Sequence, residues 1–137
     1  MGETEMNNID NIMSLIDWTN NPSEQSDGIK LAEKEKDIAP FIQPCTEYYS
    51  KNVWDNCAII LSKRSDAELS PYLSDLFAWL QDMNWPGAFC ILNRLQKYKN
   101  VDTFNSALDI CLKKAKSSGE DVWWNNLQML KKKHIVF

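Results

Sequence analysis

Trp79-Leu80-Gln81-Asp82-Met83-Asn84-Trp85-Pro86-Gly87-Ala88 is the stretch on which the fold turns. Apolar residues at helical spacing run into it from the left and out of it to the right. Asn84 suits an N-cap, and Pro86 is tolerated only within the first turn of a helix. The stretch therefore predicts one helix ending near Asp82 and another starting at Trp85. A link this short makes the two helices antiparallel neighbours.

To the right, Ala88, Ile91, Leu92 and Leu95 continue the second helix. Asp102 starts another, whose stripe is Phe104, Ala107, Leu108, Cys111, Leu112 and Ala115. Ser117-Ser118-Gly119 stops it, with Gly119 at the C′ position. A last helix carries Trp123, Leu127 and Leu130 and closes at Lys131-Lys132-Lys133-His134. To the left, Ser70-Pro71 reads as an N-cap followed by proline at the first helical position. That helix buries Tyr72, Leu73, Leu76, Trp79 and Leu80.

Ser50 caps a preceding helix with Val53, Trp54, Cys57, Ile60 and Leu61. Before it, Ile38, Phe41, Ile42, Cys45, Tyr48 and Tyr49 fit one helical face capped by Asp37, with Pro44 imposing a kink. The chain begins with a helix through Met6, Ile9, Met13 and Ile16, which Asn20-Asn21-Pro22 breaks. A weaker helix follows from Ser23 to Lys36, and Gly28 counts against it.

These segments form a repeat. Trp54 is followed by Ala58, Ile60 and Leu61 at offsets of four, six and seven. Trp85 is followed by Phe89, Ile91 and Leu92, and Trp123 by Leu127, Met129 and Leu130, at the same offsets. Gln25, with Ile29, Leu31 and Ala32, is a degenerate fourth copy. The predicted fold is all-α: about eight helices as four antiparallel pairs in a right-handed, HEAT-like α-solenoid, forming one domain over residues 1–137.

Composition narrows the function classes. The net charge of −4 hides an asymmetry: residues 1–96 hold 15 acidic and 7 basic side chains, whereas residues 97–137 hold 4 and 8. An acidic body disfavours nucleic acid and steers a basic partner. No apolar run approaches the roughly 20 residues that cross a bilayer. The polar, acidic start is not a secretory signal, so the expected address is cytoplasmic. Cys45, Cys57, Cys90 and Cys111 lie far apart without a CxxC pair and read as buried thiols.

Catalytic signals are sparse. The single histidine, His134, follows three lysines and reads as an exposed helix-end residue. Zincin, hydrolase-elbow, phosphate-loop and dinucleotide motifs are absent from the sequence. No catalytic, cofactor or metal site is expected. A solenoid instead offers the extended surface lined by the second helix of each pair. Here that surface draws on Glu24, Asp27, Asp55, Asn56, Glu120, Asp121, Trp124 and Gln128, with Asn52 and Asn125 beside them. It is polar and acidic with aromatic content, which suits a protein partner. Trp123 and Trp124 point about 100° apart on a helix. Trp123 fills the repeat slot, which leaves Trp124 as the exposed anchor.

Leu69-x-Pro71-Tyr72-Leu73, the Trp79–Ala88 stretch and the apolar helix after it resemble a small bacterial domain of unknown function. That domain looks HEAT-like, and its members often occur as immunity proteins of polymorphic toxin systems, including contact-dependent inhibition. The resemblance covers about residues 66–118 and rests on the Trp-Leu-x-Asp-x-Asn-Trp-Pro core. It implies a non-enzymatic immunity protein that binds a cognate toxin, of a basic, nuclease type, as a 1:1 heterodimer. It supplies no binding residues. A general HEAT-like adaptor without a toxin partner is the other reading.

Overall fold

A computed structural model describes residues 2–44 and 49–132, with side chains from residue 8 onward. Among the described residues the regular structure is all helical, joined by turns and loops, with no strand. The first helix, α1 (Gly2–Ile16), buries Ile12, Met13 and Ile16. Asn20 closes it by donating from Nδ2 to the carbonyls of Ser14 and Leu15. Asn21 then caps α2 (Pro22–Ala32), accepting from the Glu24 amide at 2.8 Å, with Pro22 in the first turn. Gly28 is buried at the crossing, where an added Cβ would lie 2.6 Å from Ile16 Cγ2. The residue that weakens the helix locally is what lets α2 lie close on α1. Helix α2 stops at Ala32, four residues before the expected end at Lys36.

Among the described residues of the Ile38–Tyr49 stretch, the expected helix is not formed. Asp37 Oδ1 accepts from the Ala39 amide, but the turn it opens is only a 3-10 turn over Ala39–Phe41, and Ile42 is extended. Proline at 40 and again at 44 removes two amide donors within five residues. The apolar side chains still serve the core: Ile38, Phe41 and Ile42 are buried. Cys45 and Tyr48 lie outside the described residues.

Ser50 opens a 3-10 turn (Lys51–Val53) that runs into α3 (Trp54–Ser62). Ser65, not Ser70, is the next N-cap. It forms a capping box with Glu68 around the short helix α4 (Asp66–Leu69), and Ser70 already has helical backbone angles. Pro71 sits in a 3-10 turn (Ser70–Tyr72) that leads into α5 (Leu73–Ala78). Then come α6 (Ala88–Gln96), α7 (Val101–Ser117) and α8 (Asp121–Gln128). Asn100 caps α7 through the Thr103 amide. Its C-terminus closes with Gly119 N–H to Lys116 O and Glu120 N–H to Ala115 O, the paired bonds of a Schellman ending.

The Trp79–Ala88 stretch departs from its expected form. Helix α5 tightens into a 3-10 turn over Trp79–Gln81, and Asp82 is extended. Asp82 takes the amides of the turn: its Oδ1 accepts from Asn84 N–H at 2.8 Å and its carbonyl from Trp85 N–H at 3.0 Å, while α6 starts after Gly87 without a side-chain cap. Trp85 lies in a turn, and α6 starts three residues later, after Gly87 at φ 85°. Short polar side chains compete with the helix for backbone donors, and here Asp82 prevails over Asn84.

The turn is held from inside. Trp79 is fully buried and donates from Nε1 to Pro86 O at 2.9 Å. Trp54 meets Trp79 and Trp85 edge-on, with centroids 6.2 and 5.6 Å apart. A Cβ on Gly87 would lie 2.8 Å from Ala58 Cβ and 2.9 Å from Trp54 O. The three repeat tryptophans are therefore not equivalent. Trp54 opens α3, Trp85 sits half-buried in a turn, and Trp123 lies inside α8. Phe89 and Met129, which match the repeat at offsets of four and six, are 64% and 63% exposed.

Two arginines tie the N-terminal helices to the rest. Arg64 donates to the carbonyls of Ala32 and Glu35 and pairs with Glu68. Arg94 donates to Arg64 O and to Asp66 Oδ1, which it meets at 2.6 Å. The Lys99 amide bonds the other Asp66 oxygen. Burial alone would raise the Asp66 carboxyl, but the bonds and charges of Arg94 and Lys99 outweigh it and hold the group below its ordinary 3.8.

Gly87→Ala should lose about 1–2 kcal/mol to its left-handed backbone and about 1–3 more to overpacking. Gly119→Ala has a similar φ but meets nothing within 4 Å, so it should lose only the first part. Urea midpoints at equal slope check this difference. Asp66→Asn should be less stable than the parent at neutral pH. A lowered carboxylate stabilises in full above its unfolded value near 3.8 and loses that effect as pH falls through the folded value, so the gap should close in acid. Paired melting curves from pH 7 downward measure it.

Candidate functional site: an acidic groove beside the turn

The sequence-predicted surface residues divide between places. Glu24 and Asp27 are exposed on α2, and Glu24 is engaged with the Asn21 cap. Asp55 is exposed in the first turn of α3. Glu120, Asp121 and Gln128 are exposed on or beside α8. Asn56 does not belong on an accessible surface. It is 7% exposed, and its Nδ2 donates to Ile16 O at 2.7 Å and Gln25 Oε1 at 2.9 Å. Asn56 ties α1, α2 and α3 together from within, because a buried amide must be satisfied. Trp124 is half-buried against the core, with Lys116 Nζ 5.9 Å from its ring. It is less exposed than an anchor on open surface would be.

Tertiary hydrogen bonds assemble one groove from two distant parts of the chain. Trp123 donates from Nε1 to Phe77 O at 2.9 Å, and Asn126 donates from Nδ2 to Leu80 O at 2.8 Å. Both bonds seat α8 on the end of α5 and its 3-10 extension. The start of α8 then lies beside the turn, enclosing about 510 Å³ between Gln81, Asp82 and Trp85 on one side and Gly119 through Trp123 on the other. Glu120 and Asp121 are thereby brought together with Asp82. Half-buried Trp85 lines the groove, and Val122 beside it is 66% exposed. Glu24, Asp27 and Asp55 are not among its lining residues.

Three acidic residues, an indole and an exposed valine thus line one groove. Acidic residues along one groove make its potential negative, and apolar surface beside them gains from being covered. Among the described residues, no group of three or more His, Cys, Asp or Glu could hold a metal ion. The thiols are set against nucleophilic work at neutral pH: burial pushes Cys57, Cys90 and Cys111 above the usual thiol value. His134 lies outside the described residues. No helix among the described residues is long and apolar enough to cross a membrane.

The profile of the Domain of unknown function (DUF5071) matches residues 49–136. The chain belongs to this family. The DUF5071 region takes in α3 through α8, so it contains both sides of the groove. It extends beyond the 66–118 range carried by the resemblance. No curated protein and no solved structure matches the chain.

Asp82 and Trp85 are among the groove residues that the surface prediction missed. Both stand in the quoted stretch, but capping logic placed them inside helices as structural parts. Their meeting with Glu120 and Asp121 depends on Trp123 and Asn126 finding carbonyls 46 residues away, which no local pattern shows. In this DUF5071 domain, Trp85→Ala should cost about 1–3 kcal/mol, from an edge-on aromatic contact and partial burial. Trp79→Ala should cost about 3–5 kcal/mol, as full burial demands. Chemical denaturation of both variants tests this order.

Proposed function

We propose that this DUF5071 protein is a non-enzymatic immunity protein that binds and neutralises a cognate bacterial toxin domain, one to one, in the cytoplasm. The observation that carries the reading is the groove that Asp82, Glu120 and Asp121 line together with Trp85 and Val122. Carboxylates around exposed apolar surface favour a basic protein face, such as that of a nuclease. The acidic balance of residues 1–96 adds long-range attraction of the same sign. The same field opposes phosphate backbones and anionic lipid surfaces, so nucleic acid and membrane are not the partners in this reading.

We read the helix order as a short, irregular, HEAT-like right-handed stack of antiparallel pairs. In support, α1 packs on α2, α2 on α3 and α7 on α8, each against a near neighbour in the chain. Such a stack displays its turns and helix starts along one edge, where the groove lies.

The test is co-expression with the product of the gene next to its own. A 1:1 complex and a stoichiometric fall in toxin activity are expected. A stable complex with a non-toxic partner would favour an adaptor instead, and absence of both complex and protection would end the proposal. Within such a complex, Asp121→Lys should slow association by about tenfold or more at low salt. Its cost to stability should be about 0.5–2 kcal/mol, since an acid in the first turn of α8 is exchanged for a cation at the positive end of the helix dipole. Stopped-flow association at two ionic strengths, with a melting curve, reads both.

A further inference from the structure

A second groove, lined by residues of α3, α4 and α6 and of the segments that follow them, encloses about 900 Å³. Cys90, Asn93, Arg94 and Lys97 fall at positions i, i+3, i+4 and i+7 of α6 and its C-cap, so one stripe of that helix lines it. The rest of the wall includes Ser62 at the end of α3, and Asp66 and Ala67 in α4. Side chains tie these elements together. The Cys90 thiol lies within hydrogen-bonding reach of Ser62, and Arg94 Nη2 donates to Arg64 O and Asp66 Oδ1.

The lining charges do not balance. Arg94, Lys97 and Lys99 stand against a single carboxylate, Asp66. Asp66 is already engaged: Oδ1 meets Arg94 at 2.6 Å, and Oδ2 accepts the Lys99 amide at 3.0 Å. One carboxylate offsets one guanidinium, which leaves the exposed ammonium groups of Lys97 and Lys99 without a counter-charge in the lining. Donors are left over as well. Both Arg94 bonds come from Nη2, so Nε and Nη1 remain to donate, and Asn93 carries an exposed amide on the same stripe. The net charge of −4 acts from a distance and is screened beyond about 8–10 Å, whereas these cations act at contact. The other end of the stripe is uncharged. Cys90 lies two turns, about 10 Å, before Lys97, and burial holds its thiol protonated at neutral pH.

We propose that this groove binds a small molecule carrying a phosphate monoester, with the phosphate on Lys97, Lys99 and the spare Arg94 donors and the uncharged organic part along Ala67 and Cys90. A phosphate monoester near pH 7 carries a charge of about −1.5 to −2, which matches the two unmet ammonium groups, and its oxygens suit charged donors. A single carboxylate supplies about half that charge. The enclosed volume falls within the range of small-molecule sites, roughly 300–1,000 Å³, and leaves room for more than a bare phosphate. The groove shares no lining residue with the acidic one, so the proposal stands apart from the toxin reading.

The probe is phenyl phosphate, titrated into the isotope-labelled full chain and followed by NMR. Saturable shifts are expected at the amides of Asn93, Lys97 and Lys99 and also at those of Ala67 and Cys90, with an affinity that falls as salt rises. Lys97→Gln with Lys99→Gln should weaken binding about tenfold or more. Lys113→Gln with Lys114→Gln removes the same charge from exposed positions on α7 and should leave binding unchanged. The dispersion of each spectrum shows that the fold is kept, and the salt dependence of the parent chain tests the charge match without any variant. Absence of saturable shifts would overturn the proposal, as would an equal loss in both double variants or an affinity indifferent to salt. Phenol binding as tightly as phenyl phosphate would remove the role of the phosphate. Inorganic phosphate binding as tightly would remove that of the organic part. A phosphoserine peptide binding more tightly than phenyl phosphate would make the groove a protein-docking site and overturn the small-molecule assignment.

Discussion

The fold depends on the seat that Trp79 makes for the turn after it. The indole N–H reaches Pro86 O, and the ring leaves room beside it for the Gly87 backbone alone. That one contact fixes where α5 stops, how the chain reverses and where α6 begins. It also sets α6 against α3, because Ala58 and Trp54 O stand where a Gly87 side chain would be. Trp54 then touches both tryptophans of the turn edge-on, the arrangement that their ring quadrupoles favour. Three large rings share one place because the residue between them has no Cβ.

The acidic groove follows from that seat. Where α5 ends in the 3-10 turn, Leu80 O accepts from Asn126, and Phe77 O accepts from the Trp123 indole beside the backbone N–H it already holds. Docking of α8 there brings Glu120 and Asp121 to Asp82. The buried network and the exposed surfaces thus use different residues of the same helices. Asn56, Arg64 and Arg94 work inward or between elements, while Asp55, Phe89 and Lys97 face water.

Much of the helix content was legible from local chemistry, because caps and breakers act over a few residues. Asn21-Pro22, the Phe104–Ala115 stripe and Gly119 each carry their meaning in sequence, and the structure uses them in the expected roles. Reading failed where two local signals competed. Ile38–Tyr49 has helical apolar spacing, yet its prolines deny the backbone bonds, and the described part takes only a 3-10 turn. Asp82 and Asn84 are both capable caps, and only the position of Trp79 decides between them. The repeat of tryptophans misled for a further reason. A shared residue type at shared spacing does not fix a shared backbone, and Trp85 sits in a turn whereas Trp54 and Trp123 are helical. Of the candidate surface, Glu120 and Asp121 were legible as exposed acids at a helix start. Their partners across the groove were not, since the link is made by long-range hydrogen bonds.

Native-state hydrogen exchange at the Trp79 indole N–H is the most direct measure of whether the turn is the keystone of the fold. Followed by NMR beside the Trp123 indole, it should exchange only when the whole domain unfolds, with a free energy equal to the global stability from denaturation. Exchange of the Trp79 indole through a local opening well below that value, while Trp123 stays protected, would show that the fold stands without the turn and would contradict the keystone role.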